Sequence, residues 1–199
     1  MDGVKTAAGL IYEDGNYYYA EGGGKLVTNK SYWISKSNNL LTVGTYRFDA
    51  EGKIIMTTEL VDENGTLYYY QNGMRTANAG MLLIDGNYYY IGSGAIAATS
   101  QSVWVSKTNG YFTAGTFRFD AESKLILETA VVNENGTLYY YKDGRRTASA
   151  GLVEFEGAYY HIDGAAKAQT NVTVWVSKTN GLMPVGSYTF GADGKMILD

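Results

Sequence analysis

The residues with the widest chemical scope in this 199-residue chain are one histidine and a recurring set of carboxylates. His161 is the single histidine and cysteine is absent, so neither a Cys–His dyad nor a thiolate–imidazole metal cluster can be assembled. His161 also stands where a tyrosine closes the related segments, which reads it as a packed or surface side chain. Asp49 with Glu51, Asp120 with Glu122, and Asp193 recur at matching positions, and paired carboxylates are the machinery of a glycosidase. They fall in "FDAEGK", "FDAESK" and "FGADGK", where Asp favours a bend through bonds to its own backbone. A set in every copy is a turn signature, because catalysis needs only one. Neither these turns nor "VDENG" has the spacing of a calcium loop, which needs roughly 6 to 8 oxygen ligands. The chain reads as noncatalytic, with no cofactor and no metal.

Aromatic side chains offer a different chemistry. "YYY" occurs at 17–19, 68–70, 88–90 and 139–141, with "YYH" at 159–161, and tryptophans stand at 33, 104 and 175. A flat ring with hydrogen-bonding neighbours can stack on a sugar. It can also fill a core, the usual fate of aromatics in stacked repeats. Lys36, Lys107 and Lys178, with Arg75 and Arg146, are periodic basic positions able to face an anionic polymer or simply water.

What must position these residues is a repeat. Trp33, Trp104 and Trp175 are 71 residues apart, as are Gly9, Gly80 and Gly151. One array is expected over 1–199: repeats 9–79 and 80–150, a third, truncated, over 151–199, and 1–8 as the tail of a preceding copy. Each full repeat divides into three candidate hairpins, and the truncated one into two. The turn signals are Asp-Gly and Asn-Gly, which supply the positive φ angles of type I′ turns between runs rich in Tyr, Val, Ile and Leu. Gly52 reads as a left-handed position in a longer turn. Ser123 replaces it in the second repeat, at a cost of about 1 kcal/mol if that geometry is kept.

Alternation assigns faces, since successive strand residues point to opposite sides. Tyr46 with Phe48, and Phe117 with Phe119, face a core, opposed by Arg47 and Arg118. In "TLYYY" Leu67 and Tyr69 share one side while Tyr68 and Tyr70 share the other, so both sides are partly apolar. A lone hairpin is marginal in water, so stacking is expected. The fold class is all-β: an elongated β-hairpin solenoid of stacked short antiparallel hairpins.

Composition limits the partners. Sixteen basic against twenty acidic residues give a net charge of −4 with no dense Lys/Arg run, which disfavours nucleic acid. No stretch approaches the roughly 20 apolar residues of a membrane span, and "MDGVKTAA" is not a signal segment. The "NGT" sequons at 64 and 135 are explained by the hairpin turn.

The pattern Gly, apolar residue, turn, Gly-x-Tyr-Tyr-Tyr, turn, Gly, in "GLIYEDGNYYYAEGGG" and "GMLLIDGNYYYIGSG", resembles the cell-wall-binding repeats of choline-binding and glucan-binding proteins of Gram-positive bacteria. The resemblance covers nearly the whole chain and is weaker in the "WVSKTNG" hairpin. It implies a β-solenoid, noncatalytic binding to wall-linked choline or α-glucan, and an extracellular location at the cell surface or wall. In choline-binding repeats the first Gly is followed by Trp, one wall of a cation–π cage. Leu10, Met81 and Leu152 stand there in this chain, which favours carbohydrate over choline. Tyr17, Tyr88, Tyr159, Tyr68 and Tyr139 match the family's aromatic strand positions, and Trp33, Trp104 and Trp175 add large faces in another hairpin. These eight are the candidate ligand-binding residues. The expected partner is cell-wall polysaccharide, teichoic acid or α-glucan. The alternative is a structural stalk or adhesin segment that meets a host or bacterial surface protein and binds no sugar.

Overall fold

Two-residue turns dictate the architecture. Asp14–Gly15, Asn64–Gly65, Asp85–Gly86, Asn135–Gly136 and Glu156–Gly157 all hold positive φ at both residues, the requirement of a type I′ hairpin. The computed structural model describes residues 8–198; the expected tail at 1–8 lies, except for Ala8, outside them. Two compact units are separated after Ala98, inside the second repeat.

In the first unit β1 (Gly9–Glu13) pairs with β2 (Asn16–Ala20), β3 (Lys30–Ile34) with β4 (Gly44–Phe48), β5 (Glu59–Glu63) with β6 (Thr66–Gln71), and β8 (Gly80–Ile84) with β9 (Asn87–Ile91), all antiparallel. Between the last two hairpins lies β7 (Met74–Arg75). The Asn72–Gly73 turn, with φ of 48° and 79°, folds β7 back on β6, and Met74 also pairs with Tyr46 of β4. The result is a five-stranded sheet in the order β3-β4-β7-β6-β5. Sequence reading treats "QNG" as the end of a hairpin and does not foresee this bridging strand.

The second unit repeats the sheet with β10 (Gln101–Val105), β11 (Gly115–Phe119), β14 (Arg145–Arg146), β13 (Thr137–Lys142) and β12 (Ala130–Glu134), in that order across it. Hairpins β15 (Gly151–Phe155) with β16 (Ala158–Ile162) and β17 (Val172–Val176) with β18 (Gly186–Phe190) follow. The described residues therefore form the eight hairpins expected, as an all-β arrangement of stacked antiparallel sheets.

Backbone bonds stitch hairpin to hairpin within each unit. Ile54 N–H donates to Tyr17 O at 2.8 Å and Ala97 N–H to Leu67 O at 2.9 Å; Ala168 N–H donates to Leu138 O at 2.9 Å and Met196 N–H to Tyr159 O at 2.8 Å. Apolar clusters fill the interior: Leu10, Tyr19, Ile34, Tyr46 and Phe48 in one, Leu152, Val176, Phe190 and Met196 in another. Tyr46, Phe48, Phe117 and Phe119 are buried as alternation requires. Ser123 keeps the left-handed geometry of Gly52, with φ of 64° against 81°. Its hydroxyl bonds Thr99 Oγ1 at 2.5 Å, which offsets part of the strain.

Candidate functional site

Each five-stranded sheet buries one face and presents the other. In the first, Trp33 opposes Thr45, Ser31 opposes Arg47, Arg75 opposes Tyr70 and Val61 opposes Tyr68. Alternation puts all of these on the face opposite Tyr46, Phe48 and Tyr69. Trp33 is 59% exposed, and Trp104 and Trp175 are 64% and 65% exposed. All three are thus surface platforms at equivalent places, opposite Thr45, Thr116 and Ser187.

Tyr68 and Tyr139 have a different environment. The guanidinium of Arg75 lies 3.7 Å from the Tyr68 ring centre and that of Arg146 3.7 Å from Tyr139, a cation–π contact supplied by the chain itself. Arg75 Nη2 donates to Glu63 Oε2 at 2.5 Å and to the Tyr70 hydroxyl at 3.0 Å. Tyr70 and Ser31 donate to Glu63 Oε1 at 2.5 and 2.7 Å. Arg146, Glu134, Tyr141 and Ser102 repeat the network. Burial pushes the Glu63 and Glu134 carboxyls up, but the hydrogen bonds from tyrosine, serine and arginine outweigh it and hold both below the ordinary carboxylate value. Tyr70 and Tyr141 are buried, so the side of the triplet that they share with Tyr68 and Tyr139, partly apolar by alternation, is closed by an ionic cluster. The signal was present as "YYY" followed five residues later by Arg, but β7 had to be known for it to be read.

The other candidates are half-buried. Tyr17 packs on the first core and meets Tyr12 in a tilted ring contact, 4.8 Å between ring centres; Tyr88 opposes Leu83 in register; Tyr159 packs against the Leu152 cluster. Leu10, Met81 and Leu152 are buried, so these positions present no cage wall. His161 stacks on Phe190 at 6.0 Å, and its Nδ1 has no hydrogen-bond partner among the described residues. Burial lowers its pKa, against the opposing charge of Asp163. The recurring aspartates serve their turns: Asp49 accepts from Lys53 N–H and Asp120 from Lys124 N–H, both at 2.8 Å. Lys178 Nζ donates to Ser149 O at 2.7 Å, while Lys36 and Lys107 are exposed.

Grooves open between the hairpins of each sheet. Ser31, Arg47, Phe48, Val61, Asp62 and Glu63 line one of about 710 Å³. Ser102, Arg118, Phe119, Val132, Asn133 and Glu134, each 71 residues on, line one of about 530 Å³. Arg47 and Arg118 lie on the same strand faces as Trp33 and Trp104, and sequence reading placed them only as opposing the core. A further groove of about 620 Å³ in the first unit is lined by Leu41, Tyr46, Met56 and Met74.

No protein-family profile matches the chain. It is 24% identical over 172 residues to Glucosyltransferase-S of Streptococcus mutans serotype c, covering 77% of this chain and 11% of that protein. Among solved structures, the choline-binding domain of CbpL from Streptococcus pneumoniae aligns with a TM-score of 0.57 at 19% identity, over 98% of this chain and 99% of that one. Choline binding protein F from Streptococcus pneumoniae aligns with a TM-score of 0.53 at 20% identity, over 96% of this chain and 58% of that one. This chain thus spans a small fraction of the glucosyltransferase and just over half of choline binding protein F. In fold, the chain is similar to the choline-binding domain of CbpL and to choline binding protein F.

Proposed function

We propose that the chain is a noncatalytic binding module for cell-wall polysaccharide, teichoic acid or α-glucan, acting at the surface or wall of a Gram-positive bacterium. The observation that carries this reading is the exposure of Trp33, Trp104 and Trp175, each more than half open on equivalent strand faces. An exposed tryptophan at every repeat suits a polymer, because tethered weak contacts raise avidity without a deep pocket. The similarity to a glucosyltransferase and to choline-binding proteins supports the same class. Buried Leu10, Met81 and Leu152 favour sugar over choline. Retention of the protein on insoluble α-glucan or purified Gram-positive wall, eluted by soluble glucan or wall fragments, is the expected result; passage through both columns overturns it.

The reading includes a single array of repeats stacked as an elongated solenoid, supported by the hairpin-to-hairpin bonds within each unit. Small-angle scattering tests it, since a compact globule of 199 residues has a radius of gyration of about 16 Å and a rod exceeds that. The stalk reading draws on one observation, the closure of Tyr70 and Tyr141 within ionic clusters. It requires the tryptophan faces to bind no saccharide.

A further inference from the structure

The two grooves are built from equivalent residues and differ in charge. In the first, Arg47 Nη1 donates to Glu59 Oε1 at 3.0 Å. The equivalent of Glu59 is Ala130, which has no carboxylate, and no ion pair reaches Arg118 among the described residues. Asp62 is replaced by Asn133 and Lys30 by Gln101. Glu134, the remaining acid in the second groove's lining, is neutralised by Arg146. Asp120, next to the groove, caps its own turn. Glu128 stands where the first repeat has Thr57 and makes no ion pair with Arg118. Arg118 is therefore the cation left without an ion pair, among the described residues, in a groove of about 530 Å³. Its guanidinium rests 5.1 Å from the Tyr141 ring centre, on a tyrosine fixed by three hydrogen-bonding neighbours.

Arg118 is also aligned with the exposed platform. Trp104 opposes Thr116, and Thr116 and Arg118 are alternate residues of β11, about 7 Å apart on one face. A ring stacked on Trp104 would carry its neighbour toward the guanidinium, whose planar fork matches a carboxylate or phosphate.

We propose that this second groove is a site for an anionic unit of the polymer, a sugar bearing a carboxylate or a phosphodiester, held by Arg118, and that Glu59 closes the equivalent site in the first groove by occupying Arg47. The inference rests on the saccharide-binding reading and narrows it to an acidic substrate class at one place.

The test compares wild-type protein with Arg118→Gln, Ala130→Glu and Glu59→Ala on immobilised choline-free poly(glycerol phosphate) teichoic acid and on polygalacturonic acid, with thermal midpoints as a folding control. Wild-type retention should be salt-sensitive on at least one polyanion; the teichoic acid identifies a phosphodiester and polygalacturonate a carboxylate. Arg118→Gln and Ala130→Glu should each weaken it about tenfold, the worth of one charged hydrogen-bonding contact. Glu59→Ala should strengthen it by freeing Arg47. Folded Arg118→Gln and Ala130→Glu proteins that bind both polyanions as wild type does would overturn the proposal, as would wild-type protein held by neither. Wild-type protein on neutral dextran separates the failures: retention there without polyanion binding removes only the acidic site, and no retention on any column removes the saccharide reading as well.

Discussion

Arg75 lies 3.7 Å above the ring centre of Tyr68, and so occupies the aromatic face that a ligand cation or sugar would need. The same guanidinium bonds Glu63 and the Tyr70 hydroxyl, with both charged side chains less than a quarter exposed. Removing it strands a partly buried carboxylate and phenol. Arg75→Ala should lower stability by about 1 to 3 kcal/mol, the range for a lost bond to a charged group. Arg75→Lys keeps the charge but not the fork that reaches two partners, so its thermal midpoint should fall between those of wild type and Arg75→Ala. Equal midpoints for all three would show that the cluster contributes nothing.

The carboxylates of these clusters give a pH dependence of definite sign. Glu63 and Glu134 are held below the ordinary value of 4.5 in the folded chain. The folded state thus binds protons less readily than the unfolded one. Their contribution is fully present above the unfolded pKa and is lost as pH falls through the folded value. Denaturant midpoints should drop across that acid range, and Glu63→Gln with Glu134→Gln should flatten the drop. His161 acts in the same direction at higher pH: its pKa is lowered from 6.5, so its contribution holds above 6.5 and declines as pH falls through the lower folded value.

Turn glycines should separate into two classes. Gly136 has φ of +86° with open space around a hypothetical Cβ, whereas a Cβ at Gly144, with φ of +78°, would meet Ile126 O at 2.6 Å. Gly136→Ala pays only the left-handed conformation, about 1 kcal/mol. Gly144→Ala adds a clash with backbone that cannot rotate away, so its urea midpoint should fall further. Similar midpoints for the two variants would contradict the close approach of the Asp143–Gly144 turn to the 126–127 segment.

Much of this fold was legible because its signals are local. Asn64–Gly65 and Asp85–Gly86 specify hairpins by turn chemistry alone, and the alternation around Arg47 and Arg118 identifies the buried phenylalanines without reference to any fold. The site was less legible because its decisive contacts are between elements. Nothing in "TLYYYQNGMR" announces that Met74–Arg75 forms a two-residue strand bridging two hairpins, and without that bridge Tyr68 and Tyr70 look available. The difference between the grooves likewise turns on Glu59 and Ala130, which stand 12 residues from Arg47 and Arg118 in sequence and matter only once β5 and β12 are placed across the sheet from β4 and β11.

The tryptophans provide the strongest remaining test because exposure separates their possible roles. Trp33, Trp104 and Trp175 are 59%, 64% and 65% exposed, so truncating any one leaves no buried cavity. Each Trp→Ala change should cost about 1 kcal/mol or less through its cross-strand neighbour, against the roughly 3 to 5 kcal/mol expected when a buried Trp is removed. If the three rings act together on a polymer, each single variant should shorten retention on α-glucan or wall by a modest step. The double and triple variants should lose it progressively, since avidity depends on the number of simultaneous contacts. Stable variants with unchanged retention would take binding away from these faces and return the repeats to a stalk role. A collapse of the thermal midpoint in any single variant would instead show that its ring supports the hairpin stack.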